Sequence, residues 1–305
     1  MRVVLIFRAL TFMEIKRCVV VIKKTALSQG GRAARFAHQG DVTARRLVRA
    51  HDEHNRTVEA VREVLASRGI ESIEMVPHKF SPAERRKLAS ADLIVTVGGD
   101  GTLLGTSHYV THGALIGVNS APRDSIGHFC VTGRRGFARM LDDALSLRVR
   151  PAKLAKLSIA LDGHTLAELA LNDVLVAQSS PAATTRYIIG IGGKQEEQRS
   201  SGIWISTAAG STAAIRSAGG RVLPLRSRRI QYLVREPYRE RGRNYDLTRG
   251  TVPPGEEIII ASKMNEGRLY IDGSRTVYNF PFGCRARIRV ADLDLRIFLK
   301  SRAGD

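Results

Sequence analysis

Three short stretches hold residue types and spacings that could do chemistry. Residues 98–102 read Gly-Gly-Asp-Gly-Thr and follow the apolar run Leu93 to Val97. Glycines in such a turn let the backbone approach a phosphate with no Cβ in the way, and N–H groups at a following helix start favour negative charge. A carboxylate there repels phosphate unless it binds magnesium or takes a proton from an attacking hydroxyl. Asp100 is therefore either a ligand-facing acid or a cap for the helix that begins near Thr102. The second stretch, Leu171-Asn172-Asp173-Val174, sets an amide beside a carboxylate in a β-rich segment, as a site or as a polar turn. The third, SGIWISTAAGSTAAIRSAGG from Ser201 to Gly220, joins an apolar strand to a Gly-Ser-Thr helix start and a double-glycine stop. It can offer N–H groups and hydroxyls to a ligand.

Other candidates carry less. His51 and His54 in HDEH, and His108 and His112 in HYVTH, have helical spacing, but no third ligand stands near them in sequence, so they read as ordinary histidines. Asp272-Gly273, after the strand-like Leu269 to Ile271, is either a tight hairpin turn or an acid directed at a site.

The elements that must position these residues change character along the chain. Cys18 to Ile22 reads as a strand followed by a long loop, Lys23 to Asp41. Apolar residues at spacings of three and four predict a helix over residues 42–67, stopped by Gly69. Ile70 to Val76 suits a strand, and Ser81-Pro82-Ala83-Glu84 carries a helix-start signature. Strands at Leu93 to Val97 and Ala114 to Val118 then alternate with helices at Leu103 to Val110 and Phe137 to Leu145. That alternation predicts an α/β domain with a parallel, Rossmann-like sheet over residues 13–150. After Pro151 short β-rich runs separated by Gly, Asp and Pro turns predict a sandwich-like domain over residues 151–284, with only Ser211 to Ala218 helical. Residues 285–305 form a last segment that could pack back on the first domain. Residues 1–12, ahead of Met13 and its strand, read as an extension outside the fold.

The chain has 305 residues and 43% hydrophobic composition, enough for two domains with sizeable cores. Its 48 Lys and Arg against 29 Asp and Glu give a formal charge of +19, beyond what solubility requires, and point to a polyanionic partner. Nine arginines fall between positions 221 and 249, although charge runs are most often solvated faces. With 6% aromatic residues and no basic strip interleaved with aromatics there is little for base stacking, which disfavours nucleic acid. Cys18, Cys130 and Cys284 show no CxxC spacing, so neither a disulfide framework nor a zinc site is indicated, and a reducing cytoplasm fits best. The longest uncharged run is too short to span a bilayer.

Taken together, GGDGT, LNDV and SSGIWISTAAGSTAAIRSAGG resemble, in order and spacing, the NAD kinase family, over roughly residues 16 to 300. LVREPY at 233–238 and SKMNEGRLYIDG at 262–273 look like the branch that includes organellar NAD(H) kinases. The resemblance implies a kinase that moves the γ-phosphoryl group of ATP, or of polyphosphate, to the adenosine 2′-hydroxyl of NAD or NADH, with Mg2+ and without a metal site of the protein's own. It implies Asp100 as general base, Gly98, Gly99, Gly101 and Thr102 around the phosphates, and Asn172 and Asp173 at the adenosine ribose. Thr212 and Ala213 would line the adenine pocket with Ser217 nearby, and Ser201 would stand at the nicotinamide contact. Arg199 is the candidate phosphate contact or a solvated loop residue. A homo-oligomer is also implied.

The departures are specific. Asp173 replaces the family's usual Glu, Ser201 its acid, and Ala214 its tyrosine, while the Asn-x-Gly-x-Leu-Gly-Phe segment is only echoed in Asn119 and Gly127-His128-Phe129. The competing expectations are a lipid or sugar kinase sharing GGDGT, and a basic polyanion-binding protein whose kinase site has decayed.

Overall fold

The protein is described from a computed structural model over residues 13–31, 42–76, 80–242 and 244–300. The extension expected at residues 1–12, much of the loop before residue 42 and residues 301–305 lie outside these. Chain contacts divide the described residues into two units, one drawn from residues 13–106, 112–152 and 296–300, the other from 107–111 and 153–295.

In the first unit β1 (Cys18–Ile22), β2 (Ser72–Met75), β3 (Leu93–Gly98) and β4 (Ala114–Asn119) alternate with α1 (Val42–Ser67), α2 (Pro82–Ser90) and α3 (Asp100–Ser107). The short β5 (Thr132–Gly133) and α4 (Phe137–Leu145) follow. Every residue of β3 and β4 is buried, as the continuous apolar runs require of parallel strands covered on both faces. Val58, Val61 and Leu65 of α1 and Phe137, Leu141 and Ala144 of α4 share one core with alternate residues of β1, β3 and β4. On α2, Ser81 accepts from the Glu84 amide while the Glu84 side chain accepts from the Ser81 amide, the capping box read from sequence.

The parallel order is β2-β1-β3-β4. The chain leaves β1 to one side to form β2 and returns to the other side to form β3. This reversal opens a crevice at the carboxyl ends of β1 and β3, where open α/β sheets place ligands. Gly98 ends β3 at this point.

The second unit holds β6 (Ala152–Leu154, at the crossing into it), β7 (Leu157–Leu161), β8 (His164–Thr165), β9 (Asp173–Gln178), β10 (Thr185–Ile191), β11 (Lys194–Ser200) and β12 (Gly202–Ser206). The one-turn helix α5 (Ala214–Ser217) precedes β13 (Ile230–Arg235), β14 (Arg249–Val252), β15 (Glu257–Ser262), β16 (Gly267–Ile271), β17 (Thr276–Asn279) and β18 (Arg285–Val290), after which β19 (Leu295–Ile297) joins the sheet of the first unit. Two six-stranded antiparallel sheets form, β11-β10-β15-β18-β7-β8 and β14-β13-β12-β9-β16-β17. Alternate residues of both, among them Ile159, Ile189, Ile260 and Ile288 with Val176, Ile203, Ile205 and Leu269, make one apolar core.

The last segment does not go to the first unit as a block. β18 pairs with β15 and β7 inside the second unit, while Arg296 and Ile297 pair in parallel with Ala114 and Leu115 of β4. The alternation in RARIRV explains the former: Ala286, Ile288 and Val290 are buried and the three arginines face out. Three more elements differ from the sequence expectation. β11, KQEEQRS, has no apolar alternation and is a sheet-edge strand held by pairing with β10 through a two-glycine turn, Gly192-Gly193, with φ of 56° and 80°. Arg249–Val252 pairs with β13, so part of the arginine-rich segment is strand. The helix expected over 211–218 is a 3-10 turn, Ala209–Thr212, followed by the single turn of α5.

Candidate functional site

In the first unit Gly99 leads directly into α3, which begins at Asp100 rather than near Thr102. The Thr102 and Leu103 amides donate to the Gly99 carbonyl. Asp100 does not cap its own helix. Its Oδ2 accepts from the His128 amide at 2.7 Å and its Oδ1 from the Phe129 amide at 2.9 Å, so it ties the turn to the loop after β4. That loop is closed on Asn119, whose side chain donates to the Ser125 carbonyl and accepts from the Ala121 amide. Asn119, Gly127, His128 and Phe129, the echo noted in sequence, thus orient the acid.

The three glycines of the turn differ. A Cβ on Gly98 would lie 2.4 Å from Thr102 Oγ1 and 2.9 Å from Thr102 Cβ, so packing demands glycine there, while one on Gly99 would lie 2.6 Å from Ser125 Oγ, which a turn of the serine side chain relieves. A Cβ on Gly101 would meet nothing within 4 Å. Gly101 is thus the one glycine of the turn whose Cβ side stands open. Beside the turn a cavity of about 390 Å³ occupies the crevice, with Lys23, Thr25, His51, His54, Ser120 and Ser125 among its walls. His54 is buried and bonds the Ser120 hydroxyl at 2.8 Å. Burial, with Lys23 and His51 adding to it, lowers its pKa to about 4, so it stands neutral in this wall.

In the second unit the Asn172-Asp173 stretch is clamped on both sides of its backbone. Asp272, at the β16–β17 turn with φ of 48° and its side chain fully buried, accepts from the Leu171, Asn172 and Asp173 amides at 2.7, 2.7 and 2.9 Å. His108 Nε2 lies 3.0 Å from its Oδ2. Across the chain, the Leu171 carbonyl accepts from Thr207 Oγ1, and the Asn172 carbonyl from the Thr207 amide and Ser206 Oγ. With both sides of the backbone at Leu171 and Asn172 engaged in this way, β9 begins at Asp173. Gly210 completes the corner: a Cβ there would be 2.1 Å from the Asn172 carbonyl oxygen.

The clamp leaves two side chains unspent. Asn172 Oδ1 is buried with no hydrogen-bond partner. The Asp173 carboxyl, 6% exposed, makes no side-chain hydrogen bond among the described residues. Burial first, and then the Asp272 charge, raises its pKa to about 7. A buried acceptor without a donor costs stability, and a ligand hydroxyl would supply that donor.

The remaining sequence candidates spread out around this corner. Thr212 and Ala213 end the 3-10 turn, with the Ala213 amide donating to the Gly210 carbonyl at 2.8 Å. Ala214 and Ser217 are exposed on α5, which the double glycine does stop, Gly219 at φ of 96° and the Gly220 amide on the Ile215 carbonyl. Ser201 donates its amide to the Arg235 carbonyl. Arg199 is an exposed residue of β11 whose side chain has no acidic partner among the described residues. Asp272 and the 120–129 loop are the residues whose roles the sequence left open or missed. The DG dipeptide signalled Asp272, but only the fold shows that it gathers amides 99 to 101 positions away.

Comparison with known proteins places the geometry in context. The chain is 35% identical over 273 residues to the NADH kinase of Arabidopsis thaliana, covering 81% of this chain and 83% of that protein. It is 34% identical over 252 residues to a probable NADH kinase of Oryza sativa subsp. japonica, covering 75% and 76%. This chain belongs to the NAD kinase family. Its fold is also that of two solved structures of the family. These are yeast NADH kinase complexed with NADH, TM-score 0.70 at 16% identity over 94% of this chain and 84% of that one, and an Archaeoglobus fulgidus NAD kinase in complex with ATP, TM-score 0.67 at 19% identity over 93% and 94%. No protein-family model matches the chain.

Proposed function

We propose that this member of the NAD kinase family transfers the γ-phosphoryl group of ATP to the adenosine 2′-hydroxyl of NAD or NADH, forming NADP or NADPH. The observation that carries this reading is the pair of built features with capacity to spare: the Asp100 turn, open at Gly101, and the clamped Asn172-Asp173 corner with its unpartnered acceptors. The two plant relatives are named NADH kinases, so the reduced dinucleotide is included as an acceptor.

Phosphoryl transfer needs positioning and charge neutralisation more than covalent chemistry. Two backbone N–H groups fix the plane of the Asp100 carboxylate, and each oxygen keeps a further acceptor direction for a ribose hydroxyl. Gly98, Gly99, Gly101 and Thr102, with Lys23 beside them, would receive the phosphates. Asn172 and Asp173 would take ribose hydroxyls, and Thr212, Ala213 and Ser217 the adenine side. Ser201 and Arg199 would contact the distal part of the dinucleotide and a phosphate. No three His, Cys, Asp or Glu side chains gather at metal-binding distance among the described residues. Magnesium would be carried mainly by the substrate phosphates, as is usual for this ion, and would neutralise charge there. Polyphosphate is the alternative donor, a homo-oligomer the working form and the cytoplasm the compartment. Among the described residues no helix is long and apolar enough to cross a membrane.

The test is direct. Pure protein with magnesium and ATP should yield 2′-phosphorylated product from NAD, NADH or both; absence of product from either acceptor with ATP and with polyphosphate overturns the reading. Phosphorylation of diacylglycerol or a sugar instead would favour the wider GGDGT superfamily.

A further inference from the structure

A second cavity in the first unit, about 530 Å³, lies at the carboxyl ends of β4 and β5, and none of the GGDGT residues lines it. Arg49 and Arg56 of α1, Arg123 of the loop after β4, and Arg134 and Arg135 before α4 converge on it, against the single carboxylate Glu53. Arginines on a solvated convex face diverge and pair with neighbouring acids. These converge and mostly do not pair. Among the described residues Arg123, Arg134 and Arg135 make no ion pair, Arg56 bonds only the Asp52 carbonyl, and Arg49 reaches Asp124 only at 3.9 Å.

A second observation adds to the charge. Gly136, on the cavity wall, is the N-cap of the nine-residue α4, whose start has no side-chain cap and no acidic residue in its first turn. Its N–H groups and dipole add positive potential at the same wall. The volume is within the range of small-molecule sites. No aromatic side chain lines it, so nothing is present to stack on a base. Guanidinium groups bind phosphate in bidentate fashion.

We propose that this arginine-lined cleft binds a compact polyanion through a di- or triphosphate group, at a site separate from the GGDGT turn. The ligand is either an inorganic oligophosphate or the phosphate tail of a nucleotide whose base stays outside. The loop 120–129 gives the site a route to the turn. Arg123 lines the cleft, the next residue, Asp124, pairs closely with Arg46 and lies 3.9 Å from Arg49, and the His128 and Phe129 amides hold Asp100. A ligand that draws Arg49 and Arg123 inward shifts the loop that orients the acid.

The experiment is calorimetric titration of the full chain with tripolyphosphate and, separately, ADP, at low ionic strength. One saturable site is expected for tripolyphosphate. Arg56→Gln/Arg123→Gln and Arg134→Gln/Arg135→Gln should each weaken it at least tenfold, while Arg287→Gln, a solvent-facing arginine of β18, should not change it. Arg123, Arg134 and Arg135 are exposed, so their neutral variants should keep the circular dichroism spectrum of the parent. ADP competing for the same site identifies a nucleotide tail as an acceptable source; ADP failing to compete confines the ligand to inorganic oligophosphate. Absence of saturable binding, affinity unchanged in both double variants, or equal weakening in Arg287→Gln would each overturn the proposal. Because binding is read without turnover, the result is independent of whether NADP is formed.

Discussion

Asp100 is a half-buried acid and Asp173 a buried one, and their neighbours give them different tasks. Asp100 is held by two amide donors of a loop 28 and 29 positions away, so Asp100→Asn turns one acceptor into a donor facing an N–H. That mismatch should cost about 1–3 kcal/mol of stability, too little to unfold a domain of ordinary stability. Turnover with NAD and NADH should fall by about 10²-fold to 10⁴-fold if Asp100 is the base. Wild-type turnover in a folded variant would remove it from that role. Asp173 has no such donors, and its effect is on stability. The unfolded carboxyl titrates near 3.8 and the folded one near 7, so between these values the folded chain keeps a proton that the unfolded chain has released. Stability contributed by this group therefore falls as pH rises through that window and is level above it. Asp173→Asn should gain on wild type by up to about 1.4 kcal/mol per pH unit between roughly pH 5 and 6.5, read from urea unfolding of both proteins. A constant difference across that range would show that Asp173 is not a buried, unpartnered acid.

At the scale of elements, glycines that look alike in sequence separate into packing and access. Gly210→Ala puts a Cβ 2.1 Å from a backbone oxygen that cannot swing away, so it should lower the melting temperature and loosen the Asn172 corner. Gly101→Ala meets nothing and adds helix propensity worth about 0.5–1 kcal/mol. Its melting temperature should hold or rise while the KM for ATP rises at least tenfold. Unchanged kinetics would mean that no phosphate approaches there. Asp272→Asn should cost about 2 kcal/mol or more in urea unfolding, because one amide oxygen cannot accept from three backbone N–H groups and leave none facing an NH2. Much at this scale was legible: α1, β3, β4 and the capping box of α2 follow from apolar spacing and cap residues alone. The polar strand β11 was not, because sheet pairing at an edge asks nothing of side-chain hydropathy. The start of β9 was not, because a carboxylate a hundred residues away sets it.

For the whole molecule, sequence order and compactness part company: residues 107–111 belong with 153–295. Lys156 is fully buried and donates to the Ser107 and Val110 carbonyls at 3.2 and 2.7 Å. Burial lowers its pKa to about 8, against the pull of Asp272 and Asp294. Tyr109 reaches the buried Glu168, and His108 the buried Asp272. A fragment of residues 153–295 alone removes these partners at once, and stripping a buried charge of its partner costs about 3–5 kcal/mol. The fragment should unfold at lower urea than one in which residues 107–111 are supplied at its amino end; equal midpoints would show the segment to be dispensable. The sequence by itself determined the strand and helix grammar, the change from a parallel α/β unit to an antiparallel β unit, and the motifs that carry the family resemblance. Those depend on local spacing and residue type. The tertiary structure decided which acid is held by which amides, which glycine stands open, and where five arginines converge. Those depend on distances between residues far apart in the chain, which no local pattern encodes.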